Sequence, residues 1–281
     1  MGQKWLECRD LSCGYGAKAA DNKIIKNISF FLEEGESLAI LGANGSGKTT
    51  LLRAIGGLLP YEGEIILDGR EVRDMKRKEI AAKLAAFSQL SGVYFSYTIK
   101  ETVMQGRYLY CDNLFGMPGK RDEEVVEECL RDTGLLDIAD KQIGQLSGGQ
   151  LQRVFLARTL AQRTPTLLLD EPSNHLDLKY QAELLEFLNR WRAGETACGA
   201  GAAAGTTGVA NGARREVRNT LIGVYHDINM GLLVADKFLL LKDGEILSFG
   251  SKEETITASN LEKLYDIDVE KYMKSRVALW M

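Results

Sequence analysis

Alternating apolar and polar positions mark the amino-terminal quarter of the chain. Trp5 to Asp10 and Ile24 to Leu32 both show β-type alternation, and Gly63 to Val72 reads as a hairpin with Asp68-Gly69 at its tip. That period predicts half-buried strands, and Asp-Gly between two such runs predicts a tight hairpin, because its turn needs positive φ at both central residues. A small antiparallel layer is expected here. The pattern then changes. Ser37 to Leu41 is a short continuous apolar run that ends at a glycine-rich loop, and Lys48 to Ile55 reads as a helix stopped by Gly56-Gly57 and Pro60.

From about residue 90 to 160 the period is mainly helical. Asp122 is expected to cap a helix whose apolar face carries Val125, Val126, Cys129 and Leu130, with Gly134 as its stop. Beyond Pro165 buried-strand runs return at Thr166 to Leu169, Thr220 to Tyr225 and Phe238 to Lys242, separated by helical segments. Strands alternating with helices predict a mainly parallel sheet covered on both faces, so the fold class is α/β with an inserted helical lobe. Gly194 to Gly212 departs from both periods. It holds six of the 29 glycines and many alanines, and is expected to be a flexible surface excursion.

At 281 residues with 45% hydrophobic content, one large domain with a sizeable core is expected. The formal net charge of −4 argues against a nucleic-acid backbone as the main partner, which would favour a basic face, so nucleic acid is not an expected partner. The apolar runs are strand-sized and far below the roughly 20 residues of a membrane span, and Met1 to Trp5 does not open a secretory signal. A cytoplasmic protein is expected. Five scattered cysteines (Cys8, Cys13, Cys111, Cys129, Cys198) predict buried thiols and neither a disulfide framework nor a zinc site.

The chemistry is concentrated in a few segments. Gly42-Ala43-Asn44-Gly45-Ser46-Gly47-Lys48-Thr49 fits Gly-x-x-x-x-Gly-Lys-Ser/Thr, in which backbone N–H groups surround phosphate oxygens, Lys reaches the outer phosphates and a hydroxyl ligates Mg²⁺. Its strand-loop-helix setting is the one that motif requires. Thr166 to Leu169 delivers Asp170 and Glu171 at a strand end, where α/β sheets bind ligands. Taken alone, such a pair could simply end a strand. Ser147-Gly148-Gly149-Gln150 opens a helix whose amino end can face an anion, and His226 follows the apolar run Leu221 to Tyr225.

Together these segments, in this order, resemble the ATPase subunits of ABC transporters from about residue 4 to about residue 270. The resemblance implies a P-loop NTPase core of RecA type with an antiparallel β subdomain and an inserted α-helical subdomain. Within a single domain it would divide the chain into a core (1–87 and 165–250), a helical subdomain (88–164), the Gly/Ala-rich insert (194–218) and a carboxyl-terminal extension (251–281).

The resemblance also implies residue roles. Gly42, Asn44, Gly45, Ser46, Gly47, Lys48, Thr49 and Thr50 would hold ATP, and Tyr15 would stack on adenine. Thr49, Asp170 and Gln89 would attend Mg²⁺, Glu171 would be the base for the attacking water, and Lys48 and His226 would serve the γ-phosphate. Ser147, Gly148, Gly149 and Gln150 would complete the site of a second, head-to-tail copy. His175, in Ser173-Asn174-His175-Leu176-Asp177, would lie along that interface.

Gln105 to Tyr108, His226 to Met230, Leu241 to Ile246 and Leu264 to Glu270 further resemble ATPase subunits of iron-siderophore, haem or cobalamin importers. The implied partners are a multi-spanning permease and, indirectly, an extracytoplasmic binding protein, at the cytoplasmic face of a membrane. Tyr94, Phe95 and Tyr97 could receive the permease or could be lobe core. A transporter for another substrate class remains open, as does a soluble ATPase acting on ribosomes, suggested by Glu171 to Asp177. A GTP switch would need an Asn-Lys-x-Asp motif, which the sequence lacks, and would leave the loop Ser147 to Gln150 unexplained. If the insert is neutral, deleting Ala197 to Asn211 should leave ATP turnover close to wild type in a steady-state assay, because loop closure depends weakly on length.

Overall fold

The computed structural model describes residues 4–15, 23–87, 96–110, 118–174, 176–198 and 219–278. Two compact units divide the chain, the first made of 1–74 and 222–281, the second of 75–221.

The first unit opens with strands β1 (Lys4–Gly14), β2 (Lys23–Glu33) and β3 (Leu38–Leu41), helix α1 (Lys48–Ile55), and strands β4 (Tyr61–Leu67) and β5 (Arg70–Glu71). The antiparallel layer has the order β2-β1-β4-β5. Leu6, Ile28, Leu32 and Ile65 supply buried positions as the period-two pattern predicts, while Ile25 is buried out of phase with Ile28, across the left-handed Asn27 (φ 50°). The β4–β5 hairpin turns through Asp68 (φ 49°) and Gly69 (φ 75°), both in the left-handed region.

The second unit contains α2 (Arg77–Ala81), β6 (Leu84–Phe87), α3 (Ile99–Met104), α4 (Lys120–Asp132), α5 (Gly148–Leu160), β7 (Thr166–Asp170) and α6 (Leu178–Arg192). Strands β6 and β7 pair in parallel, Leu84 opposite Thr166 and Phe87 opposite Leu169. Strand β8 (Thr220–Val224) then leads back into the first unit, followed by α7 (Ile228–Val234), β9 (Lys237–Lys242), β10 (Glu245–Gly250), α8 (Lys252–Thr255), α9 (Ala258–Tyr265) and α10 (Val269–Val277).

Within the first unit β3 lies between β8 and β9 and is parallel to both, while β10 folds back antiparallel on β9. All four β3 residues are buried, so a continuous apolar run is what such a strand needs. The antiparallel layer leans on this sheet. Phe30 and Phe249 approach with ring centroids 5.6 Å apart, and Lys26 N–H donates to Gly244 O at 2.8 Å.

Two expectations need correction. Asp122 does not cap α4: Gly119 occupies that position and Asp122 is the third helical residue. Its carboxylate reaches back to accept from Gly119 N–H (2.9 Å) and pairs with the buried Arg107 guanidinium (Nε–Oδ1 2.9 Å). Arg107 also donates to Ala161 O at 2.6 Å and lies 4.0 Å from the Tyr110 ring centre. The demand of a buried cation for a counter-charge places this carboxylate one turn inside the helix.

The second correction concerns the start of the excursion. Gly194 turns in the left-handed region (φ 73°), and Thr196 and Cys198 are buried. Cys198 N–H donates to Asp132 Oδ2 at 3.1 Å, and Arg163 donates to Ala197 O at 3.3 Å. The neutral deletion therefore starts at Gly199. Residues 199–218, over which the rest of the expected flexibility falls, lie outside the described residues.

Cys8, Cys13, Cys129 and Cys198 are buried thiols, and Cys111 lies outside the described residues. Burial pushes Cys13 up to about 11, and the contact with Cys129 together with burial holds Cys198 well above the ordinary thiol range. Both stay protonated at neutral pH. Among the described residues no helix is long and apolar enough to cross a membrane. Asp122→Ala should lower the unfolding free energy by about 3 kcal/mol by leaving the Arg107 charge buried without its partner, read as a fall in the urea midpoint.

Candidate functional site

The loop from β3 into α1 is built around close backbone contacts. Gly45 (φ 81°) and Gly47 (φ 102°) adopt conformations that L side chains resist. Gly42 has no room for a side chain: a Cβ there would lie 2.3 Å from Leu241 O and 2.7 Å from Ser46 Oγ. The ammonium of Lys48 is buried and donates to Gly42 O and Ala43 O, both at 2.9 Å, so its charge sits inside the loop. Helix α1 starts from Gly47 without a side-chain cap and without an acid in its first turn. A helix amino end without a side-chain cap and a buried cation converge there, a combination suited to a polyanion. Asn44 and Gly45 are exposed, Thr49 is half-buried, and Ser46 and Thr50 are buried. Ser46 Oγ is buried without a hydrogen-bond partner.

His226 follows β8, the parallel neighbour of β3, so the glycine loop and this imidazole leave the sheet at the same carboxyl edge. The ring is exposed, while Tyr225 before it is buried and donates from its N–H to Ile40 O at 3.3 Å. Asp227 caps α7 by accepting from Asn229 N–H at 2.8 Å. Tyr15, at the end of β1, is 41% exposed, and its hydroxyl accepts from Arg53 Nη1 at 3.0 Å. Arg53 lies in the last turn of α1.

In the second unit Thr166 to Leu169 are fully buried and Asp170 and Glu171 emerge half-buried at the end of β7. Glu171 has φ 53°, a left-handed conformation that costs a non-glycine residue about 1–3 kcal/mol. The turn that follows holds it there: Asn174 N–H donates to Glu171 O at 3.2 Å, and Asn174 Nδ2 donates to Glu171 Oε2. Gln152 on α5 donates to Pro172 O.

Helix α5 begins at the Ser147 cap, whose hydroxyl accepts from Gln150 N–H (3.3 Å) while Gln150 Oε1 accepts from Ser147 N–H (3.1 Å). Ser147 and Gly148 are exposed, and Gly149 packs toward Tyr180 and Leu176. Arg153 stacks 4.1 Å from the Tyr180 ring centre. A cavity of about 380 Å³ opens beside this turn, lined in part by Phe87, Gln152, Leu156, Pro172, Tyr180 and Phe187. Gln89, Tyr94, Phe95 and His175 lie outside the described residues. Tyr97 is 41% exposed, which removes it from the lobe core.

Three side chains at these sites escaped the sequence-based expectations: Arg53, Gln152 and Asn174. Only Asn174 left a signal, since it stands three residues after Glu171 in a segment rich in turn formers. The other two act across the fold. Gly42→Ala should cut affinity for a fluorescent ATP analogue by at least about tenfold in a titration, because the loop must open by more than an ångström to admit the methyl group.

The family profile described as ABC transporter matches residues 25–174. The chain is 37% identical to the uncharacterized ABC transporter ATP-binding protein YvrA of Bacillus subtilis strain 168, over 94% of this chain and 54% of that protein. It thus spans about half the length of that relative. Identity is 33% to the ferric enterobactin transport ATP-binding protein FepC of Escherichia coli strain K12, over 93% of this chain and 87% of FepC. It is 30% to the iron(3+)-hydroxamate import ATP-binding protein FhuC of Bacillus subtilis strain 168, over 94% and 89%. Among solved structures, the ATP-binding cassette MJ0796, a dimer in a post-hydrolysis state with ADP and Pi, superposes with a TM-score of 0.69 at 27% identity, over 88% of this chain and 98% of MJ0796. The match to the family profile over more than half the chain, with relatives of 30% identity or more aligned over more than nine-tenths of it, places this protein in the ABC transporter family as an ATP-binding cassette ATPase.

Proposed function

We propose that this chain is the ATP-hydrolysing subunit of an importer for an iron chelate, acting as a head-to-tail pair beneath a multi-spanning permease on the cytoplasmic face of a membrane. The observation that carries the chemistry is the buried Lys48 ammonium inside the glycine loop at the uncapped start of α1. Likeness to FepC and FhuC across more than nine-tenths of the chain supports the iron chelate and the direction of transport.

In this proposal the loop N–H groups from Gly45 to Thr50 and Lys48 hold the phosphates, and Tyr15 stacks on adenine. Glu171 takes the proton of the attacking water, and His226 holds the γ-phosphate end. Ser147 to Gln150 would close on the nucleotide of the second copy, with the amino end of α5 toward phosphate.

The donors available for Mg²⁺ are the Thr49 hydroxyl and the Asp170 carboxylate, joined in sequence by the Gln89 amide. All are hard oxygen ligands. They fit an ion that is held through a single carboxylate and a few neutral oxygens and completes its shell with phosphate and water. Among the described residues no group of three or more His, Cys, Asp or Glu gathers around one point. When bound, Mg²⁺ would neutralise charge between the β- and γ-phosphates.

Glu171→Gln should reduce turnover at least about a hundredfold while retaining MgATP, and should elute as an ATP-dependent dimer in size-exclusion chromatography. Captured from detergent-solubilised native membranes, the same variant should bring a multi-spanning permease with it. A monomer with wild-type turnover would end the assignment of Glu171, and recovery of ribosomes in place of a permease would end the transport assignment.

A further inference from the structure

The turn after β7 is held by hydrogen bonds within itself and from α5. Glu171 sits in the left-handed region, its carbonyl accepts from Asn174 N–H at 3.2 Å, and its carboxylate accepts from the Asn174 side-chain amide. A carboxylate oxygen can only accept, so the NH₂ end of Asn174 must face it. Pro172, between them, has its carbonyl taken by Gln152 of α5. Both Asn174 and Glu171 are half-buried.

We propose that Asn174 is a positioning residue for Glu171: its amide holds one carboxylate oxygen and so fixes the direction in which the other can meet the attacking water. This inference rests on Glu171 being the base. A glutamate has three rotatable side-chain bonds, and a base that must search them at each turnover loses the advantage of prior orientation. Asn174 removes that freedom before nucleotide closes the site, and Gln152 keeps the turn beneath it from shifting.

The test is steady-state ATP hydrolysis by the full chain carrying Asn174→Asp or Asn174→Ser. Aspartate has the same shape and the same taste for turns, yet it cannot donate and sets a second negative charge against Glu171. Serine keeps a shorter donor. The expected result is a fall in kcat of about tenfold or more for Asn174→Asp, a smaller fall for Asn174→Ser, and an ATP KM within about twofold of wild type for both. Melting temperatures should stay close to wild type.

In the Glu171→Gln background, Asn174→Asp should keep the ATP-trapped dimer, because the new glutamine amide can donate to the new carboxylate. Wild-type kcat in Asn174→Asp, with Glu171→Gln inactive, would overturn the proposal and leave the base assignment standing. So would a loss expressed only in KM, or equal losses in both variants with a lowered melting temperature. Turnover surviving in Glu171→Gln would overturn both.

Discussion

Two places where main chain touches main chain govern the first unit. At Gly42 a side chain would collide with Leu241 O of β9, and at Gly244 a Cβ would lie 1.9 Å from Ile24 O of β2. Gly244, in the turn between β9 and β10, also donates from its N–H to Ser46 O at 3.2 Å. The glycine loop is thus braced by the β9–β10 hairpin, and that hairpin is braced by the antiparallel layer. Neither contact tolerates a methyl group. The shape of a loop that would wrap phosphate is therefore decided well outside the loop, by how closely three strands approach.

The second unit reaches the same end by other means. Its carboxylate pair comes from a strand with no polar side chain beyond Thr166, and the backbone strain at Glu171 is offset by hydrogen bonds from Asn174. Strain at a reacting group lasts only where the surroundings over-determine it, and here a turn closed on itself and tied to α5 supplies the constraint. Likewise the buried Arg107 charge is tolerable because Asp122, Ala161 O and the Tyr110 ring surround it. At Gly106 next to it, a Cβ would fall 2.2 Å from Arg158 O, which accounts for the small residue in the segment Gln105 to Tyr108.

Much of this was legible in the chain because the governing signals are local. The alternation in Ile28 to Leu32, the Asp68-Gly69 turn, the unbroken apolar run before Gly42 and the helix opening at Ser147 to Gly149 each act over a few residues, and each stands where its pattern predicts. What could not be read depends on partners distant in sequence. Asp122 looked like a cap because its counter-ion, Arg107, lies across a segment whose path no periodicity reveals. Arg53 meets Tyr15 38 residues away, and Gln152 meets Pro172 20 residues away. Cys198 looked like part of a glycine-rich excursion until Asp132 claimed its N–H group.

The excursion between α6 and β8 leaves from firmly set ground. On one side stands the buried Cys198. On the other, Asn219 donates from its N–H to Arg192 O at 3.0 Å and from its side chain to Trp191 O at 2.7 Å, and Thr220 N–H reaches Pro165 O at 2.9 Å. Both ends are thus secured on the same unit by bonds that do not involve the residues between them. Such a site behaves as a socket: the sheet is finished beneath it, and whatever is plugged in need only span the gap. If the residues between are neutral, a reporter peptide or a small folded domain could be seated there at little cost, because loop closure depends weakly on length.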